Sequence, residues 1–178
     1  MNGQINSARA VTKSNTNHLE TFRSLEFGQL GLVDEDGVRF YRAPLREQTL
    51  QIDSEIDLGP VEIILSYAGA GGSRIQSLMR VGDMNGLVIS GLGLGCVSIP
   101  MYDAIKDIRD KGVPVVLSTR APTGRIFSLS AMKGSSLTLK QIECVMADNL
   151  SPQKARVLRM LALTETRDPG ALQRYFEN

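Results

Sequence analysis

From Val61 onward the chain alternates short apolar runs with longer segments of helical spacing, and that rhythm describes a parallel sheet covered by helices. The runs are Val61–Leu65, Gly86–Ile89, Val113–Ser118 and Ile142–Val145. Because helices cover both faces of such a sheet, its strands are apolar almost throughout instead of alternating. Arg74–Arg80 and Pro100–Lys111 supply the helical connections, and in the second Ile105 and Ile108 share a face that Lys106, Asp107 and Asp110 avoid. A final helix is capped by Ser151, carries Pro152 in its first turn and continues an apolar stripe through Val157, Leu158, Leu161 and Ala162. Asp168-Pro169-Gly170 is expected to end it, leaving Ala171–Tyr175 as a short last turn.

The first 50 residues have a different character. Asn6, Ser7, Thr12, Ser14, Asn15, Thr16 and Asn17 form a polar, loop-rich stretch without apolar periodicity. Two β-prone runs then flank Asp34-Glu35-Asp36-Gly37, which predicts a hairpin over Gly31–Tyr41. A lone hairpin is marginal in water, so this one needs support. The expected organisation is an N-terminal segment over 1–45, a linker over 46–59 and an α/β domain over 60–178.

Charge and composition narrow the function. With 20 basic and 19 acidic residues the net charge is +1, which gives no footprint for neutralising phosphates, so neither nucleic acid nor an anionic membrane is an expected partner. Apolar residues make up 42% and charged residues 22%, the balance of a folded domain. Cys96 and Cys144 stand far apart and the chain has one histidine, so the usual ligands of a metal centre are missing; no metal and no cofactor are expected. Neither an export leader nor an apolar run long enough for a membrane span is visible, and the cytoplasm is the expected compartment.

Several motifs sit where α/β sheets bind ligands, beyond the carboxyl ends of strands. Gly69-Ala70-Gly71-Gly72 follows the first run, and Gly91-Leu92-Gly93-Leu94-Gly95 follows the second. The second lacks the third glycine of a dinucleotide fingerprint at its required spacing, and both clusters equally suit tight strand-to-helix turns. Ser118–Arg125 follows the third run with two arginines and hydroxyls, able to grip a carboxylate or phosphate or to pair across a subunit interface. Thr12-Lys13 puts a hydroxyl beside an amine, as a nucleophile and its base require, although polar runs of this kind are common in surface loops. His18 has no Ser or Cys partner nearby in sequence and reads as a surface residue.

In order along the chain, Ser7–Thr16 with Thr21-Phe22, Phe27–Gly31, Ser66-Tyr67-Ala68, the Gly91–Gly95 turn, Gly112–Val116 with Ser118-Thr119-Arg120, Asn149–Arg156, Asp168-Pro169 and Gln173–Phe176 resemble the bacterial L-asparaginase and glutaminase-asparaginase family. The resemblance covers nearly all 178 residues but only the C-terminal half of a family member. It implies a small parallel α/β layer that supports subunit contacts, preceded by a loop and hairpin remnant of an N-terminal domain. The family's catalytic threonines, with their aspartate and lysine, lie on N-terminal motifs that none of these residues match, so no catalytic residue is assigned here. The resemblance also implies that a turn of GxGNGN type lends an amide to a neighbouring active site. Here that turn reads Gly93-Leu94-Gly95-Cys96, with both amides replaced, and a second family contributor, a glutamate, has no counterpart in Ser128–Lys133.

Leu94, Cys96 and Ser66 are therefore the candidate substrate-facing residues for a small amide or amino-acid ligand. Losing an amide that bonds substrate changes binding by about 1–3 kcal/mol. Two functions follow from the resemblance. One is a split amidohydrolase completed by a separate N-terminal half; the other is a non-catalytic binding or scaffold protein acting as a homo-oligomer. A new role for Cys96 as nucleophile would draw on a helix N-terminus but lacks an identifiable base.

Overall fold

The hairpin expected around Glu35 forms, and a further strand joins it. In the computed structural model, which describes residues 2–44, 49–51, 55, 58–82 and 84–177, the N-terminal part holds Gln4–Ile5 (β1), Val11–Lys13 (β2), Phe22–Ser24 (β3), Gly31–Asp34 (β4) and Gly37–Phe40 (β5). β4 and β5 pair antiparallel around a tight turn in which Asp34 lies opposite Gly37, and β1 adds to the other edge of β4. Gly31 permits that close approach: a Cβ there would meet the Arg39 carbonyl oxygen at 2.2 Å.

β2 and β3 form a second antiparallel pair that the polar composition concealed. Hydrogen bonds within their loop explain it. The Asn15 side-chain oxygen accepts from the backbone N–H groups of Asn17 and His18 at 2.9 and 3.1 Å, and the Ser14 N–H donates to the Thr21 carbonyl at 2.7 Å. The asparagines thus supply turn chemistry between two short strands. Most of the linker expected over 46–59 lies outside the described residues.

The chain divides into two compact units, Met1–Glu47 and Gln48–Asn178. The second contains Val61–Leu65 (β6), Ser73–Val81 (α1), Gly86–Gly91 (β7), Ile99–Asp110 (α2), Val115–Thr119 (β8), Ser136–Gln141 (α3), Val145–Met146 (β9), Pro152–Ala162 (α4) and Pro169–Phe176 (α5). Its four strands are all parallel and lie in sequence order, β6-β7-β8-β9. The architecture is therefore α/β, a small parallel sheet flanked by helices.

Both faces are covered, which is why β7 and β8 are buried at every residue. Leu87, Ile89, Val115 and Leu117 pack with Ile75, Met101, Ile105, Ile108 and Leu139 of α1, α2 and α3. Val88, Val116 and Val145 point the other way, against Ala155 and Ala162 of α4 and Leu172 and Phe176 of α5.

Local signals account for the helix boundaries. Gly82, at φ 78°, ends α1, and Ser98 caps α2 by accepting the Met101 N–H at 3.3 Å. Three expectations are corrected here. Asp168 does not merely close a helix: its carboxylate accepts the Ala171 N–H at 2.7 Å, so Asp168-Pro169 starts α5. Ile142 belongs to the end of α3, and the last strand begins at Val145. The buried face of α4 is Pro152, Ala155, Arg159 and Ala162, whereas Val157 is 54% exposed. The two alanines bring this helix close to the sheet, so small residues and not the larger aliphatics mark its inner side.

Candidate functional site

At the carboxyl end of the sheet three turns emerge side by side, from β6, β7 and β8. The middle one, Gly91–Cys96, folds back on itself: Leu92 donates its N–H to the Cys96 carbonyl at 2.9 Å, and the N–H groups of Gly95 and Cys96 return to the Leu92 carbonyl at 3.0 and 2.8 Å. Its glycines are sterically required. A Cβ on Gly91 would lie 2.5 Å from the Gly95 carbonyl carbon, and Gly95, at φ 94°, leaves 2.9 Å to a methyl group of Leu117.

The neighbouring turns are tied to this one. The Thr119 hydroxyl donates to the Gly93 carbonyl at 2.6 Å and accepts from the Ala121 N–H at 3.1 Å. The Arg120 N–H donates to the Gly91 carbonyl at 3.1 Å. From the other side, the Ser98 hydroxyl joins the start of α2 to the first glycine turn by donating to the Ala70 carbonyl at 2.5 Å. These hydrogen bonds link the three turns into one wall.

The wall displays the side chains of Leu94, half-buried, and Cys96, exposed. Cys96 precedes the cap residue Ser98 by two positions, so it stands in the turn and not in the first turn of α2. Ser66, just past β6, is buried with its N–H donated to the Ser90 carbonyl at 2.9 Å, and its hydroxyl is left without a partner. Of the three candidate residues, Leu94 and Cys96 share one turn, whereas Ser66 follows the adjacent strand. Beside β6 an open groove of about 480 Å³ is lined by Ile63, Leu65, Tyr67, Ala70 and Arg74, among others.

Other motifs take structural positions. Arg125 lies over the Phe127 ring, 5.6 Å from its centre, and Arg120 is exposed. Thr12 and Lys13 are successive residues of β2, so their side chains leave opposite faces of the strand and do not make a nucleophile and base. The Lys13 ammonium lies 5.4 Å from the centre of the Phe22 ring. His18 is exposed in the β2–β3 loop. Among the described residues, no group of three or more His, Cys, Asp or Glu side chains could hold a metal ion, and no helix is long and apolar enough to cross a membrane.

One chemically unusual residue was not found by reading the sequence. Arg159 is fully buried on the sheet-facing side of α4, and none of its three guanidinium nitrogens has a hydrogen-bond partner among the described residues. Burial, with Arg109 and Arg167 adding to it, holds its pKa well below the ordinary arginine value. Its spacing of four from Ala155 and three from Ala162 was the available signal.

Comparison with known proteins places these elements in a family. Residues 60–176 match the family described as Glutaminase/Asparaginase C-terminal domain, and residues 1–46 match Asparaginase, N-terminal. The chain is 34% identical to the "Probable L-asparaginase periplasmic" of Haemophilus influenzae over 100% of its own length and 50% of that protein. It is 32% identical to the "L-asparaginase 2" of Escherichia coli, covering 99% of this chain and 50% of that one. The solved structure of a probable cytoplasmic L-asparaginase from Campylobacter jejuni is similar with a TM-score of 0.87 at 32% identity, over 98% of this chain and 56% of that one. The chain thus spans about half the length of the curated relatives it matches.

Proposed function

The chain belongs to the glutaminase/asparaginase family, and we propose that it is the C-terminal half of an amidohydrolase, working with a separate N-terminal half to hydrolyse a side-chain amide. The observation that carries this reading is the contrast within the match. The C-terminal family domain is covered over 60–176, whereas the N-terminal match covers only residues 1–46. In this reading 1–45 is the C-terminal remnant of the nucleophile-bearing domain, 46–59 the linker and 60–178 the supporting domain. Leu94 and Cys96 are the side chains that face the ligand, a small amide or amino acid, whereas the third candidate, Ser66, is buried and does not, and the chain assembles with its other half, with copies of itself, or with both.

The Gly91–Cys96 turn supports a role in shaping the ligand pocket, because its internal hydrogen bonds fix where Leu94 and Cys96 stand. It also supports a changed specificity. A leucine methyl group and a thiol offer weaker hydrogen bonding than the two amides that the family pattern has there. The cytoplasm is our proposed compartment, supported by similarity to the probable cytoplasmic L-asparaginase of Campylobacter jejuni, whereas the Haemophilus influenzae relative is a probable periplasmic enzyme.

The test is ammonia release from asparagine and glutamine, by the purified chain alone and after mixing with an N-terminal half expressed from the coding sequence directly upstream. Activity in the mixture alone is the expected result. A folded chain that binds this half but leaves both amides intact would reject hydrolysis and favour a second reading, a non-catalytic binding or scaffold homo-oligomer. The observation favouring that second reading is the Leu94 and Cys96 pair itself, since a domain relieved of catalysis can lose its polar substrate contacts.

A further inference from the structure

β6 is an edge of the parallel sheet: β7 pairs with one side of it, and no described strand pairs with the other. Two hydrogen bonds fix which backbone groups face the open side. The Ser66 N–H donates to the Ser90 carbonyl at 2.9 Å, and the Pro60 carbonyl accepts from the Asn85 N–H at 2.8 Å, so the even-numbered residues of this segment face β7. Alternation turns the N–H and C=O groups of Val61, Ile63 and Leu65 outward. Arg156 agrees with that parity, since it reaches from α4 to donate its Nε–H to the Val61 carbonyl at 2.6 Å. The outward groups of Ile63 and Leu65 have no partner among the described residues.

The side chains along this edge are of matching kinds. Ile63 is 37% and Leu65 50% exposed, and both leave the same face of the strand. An exposed apolar edge of this sort is a template for another strand. Glu62 leaves the opposite face, which it shares with Ile64 and on which α1 packs. Glu62 and Arg74 are both exposed, and neither has an ion-pair or hydrogen-bond partner among the described residues. Glu62 stands at the amino end of β6, whereas Arg74, in the first turn of α1, lines the open groove with Leu65 and Tyr67 at the carboxyl end. A single edge holds the acid and the base apart. Two antiparallel edges bring each beside the other.

We propose that β6 is a homodimer interface, in which two copies of the chain pair edge to edge about a twofold axis at Ile64 and join two four-stranded sheets into one. Ile63 then lies opposite Leu65 of the second copy, and each exchanges both its N–H and its C=O with the other, as a hydrogen-bonded antiparallel pair does. The Val61 carbonyl, already held by Arg156, marks where the pairing stops. Ile63 and Leu65 cover one another across the axis, and Glu62 of each copy meets Arg74 of the other. A second copy is the partner because the edge is complementary to itself: donor meets acceptor, apolar meets apolar and acid meets base under one rotation. The inference specifies the self-assembly named above, and it depends neither on hydrolysis nor on a separate N-terminal half.

Sedimentation equilibrium of the whole chain from about 1 to about 100 μM tests it, a range that resolves dissociation constants of that order. The expected mass at the top of the range is twice 19.4 kDa. Leu65→Lys changes an exposed side chain, so it should keep the native circular-dichroism spectrum and yield a monomer. Glu62→Arg and Arg74→Glu should each weaken the dimer by about tenfold, because either one turns two attractive cross-strand pairs into repulsive ones, and combining them should restore it. Without any variant, the backbone amides of Ile63 and Leu65 should exchange their hydrogens more slowly at dimeric than at monomeric concentrations. A chain that stays monomeric throughout would overturn the proposal, as would a dimer that survives Leu65→Lys or one whose formation leaves those two amides unprotected. Protection that appears only when an N-terminal half is added would give the edge to that half and likewise end the proposal.

Discussion

The two units differ in what they bury. In Met1–Glu47 the buried residues among those described are Thr21, Ser24 and Gly31, none with a large apolar side chain. Val33, Val38, Phe40 and Tyr41, by contrast, are 48–68% exposed. In Gln48–Asn178 two apolar clusters sandwich a parallel sheet. Strand pairing and side-chain turn bonds suffice to shape the first unit, but net stability comes chiefly from apolar burial, and only the second has it. The difference teaches that one chain can carry a unit with an apolar interior of its own beside a unit whose larger apolar side chains stay exposed.

The most drastic way to break that comparison is to cut it. A fragment of residues 58–178 should give a native circular-dichroism spectrum and a single cooperative unfolding transition, while a fragment of residues 1–44 should show a disordered spectrum and dispersionless NMR signals. A small segment without an interior falls below the size at which a domain holds itself together. A folded short fragment, or an unfolded long one, would reverse the assignment of stability to the two halves.

Point substitutions sharpen the contrast within the intact chain. Ile105 is fully buried between α2 and the sheet, so Ile105→Ala should destabilise the protein by about 2–5 kcal/mol, read from the midpoint of urea unfolding. Phe40→Ala removes a larger side chain, but one that is 65% exposed, and should change stability by no more than about 0.5 kcal/mol. Equal losses at the two positions would mean that Phe40 already has a buried role in solution.

The same contrast explains what could be read from the sequence. The central strands were legible because a strand covered on both faces must be apolar throughout, and the edge strand Val61–Leu65 was recovered residue for residue although Glu62, Ile63 and Leu65 are exposed. Ser151 and Pro152 announced the start of α4 through chemistry that needs no tertiary information. α3 went unseen because its six residues, capped by Ser135 accepting the Thr138 N–H at 3.4 Å, are too few to establish a helical period. β2 and β3 went unseen because their strands are three residues long and their order comes from loop hydrogen bonds. At the site, the glycine turns were legible from position alone. The seclusion of Ser66 and the burial of Arg159 were not, since each depends on which neighbour the fold brings against it.

The narrowest test concerns proton release, and it belongs wholly to the second unit because Cys96 and Cys144 both lie there. Cys144 is packed in the cluster beneath α2 and α3, and burial pushes its thiol up to about 12 from an ordinary 9.0, with Arg109 opposing weakly. The unfolded chain therefore loses this proton near 9 and the folded chain only near 12. In that window the unfolded state binds fewer protons, so stability falls as pH rises; below it the contribution is fully present. Urea midpoints taken from about pH 8 to about pH 11 should decline, with a steeper slope for the wild type than for Cys144→Ala, by up to about 1.4 kcal/mol per pH unit. Slopes and not absolute values carry the test, because the alanine also leaves a small cavity. Parallel slopes would mean that the thiol reaches water in the folded state, and would breach the second unit's core at the one titratable group it encloses between α3 and β9.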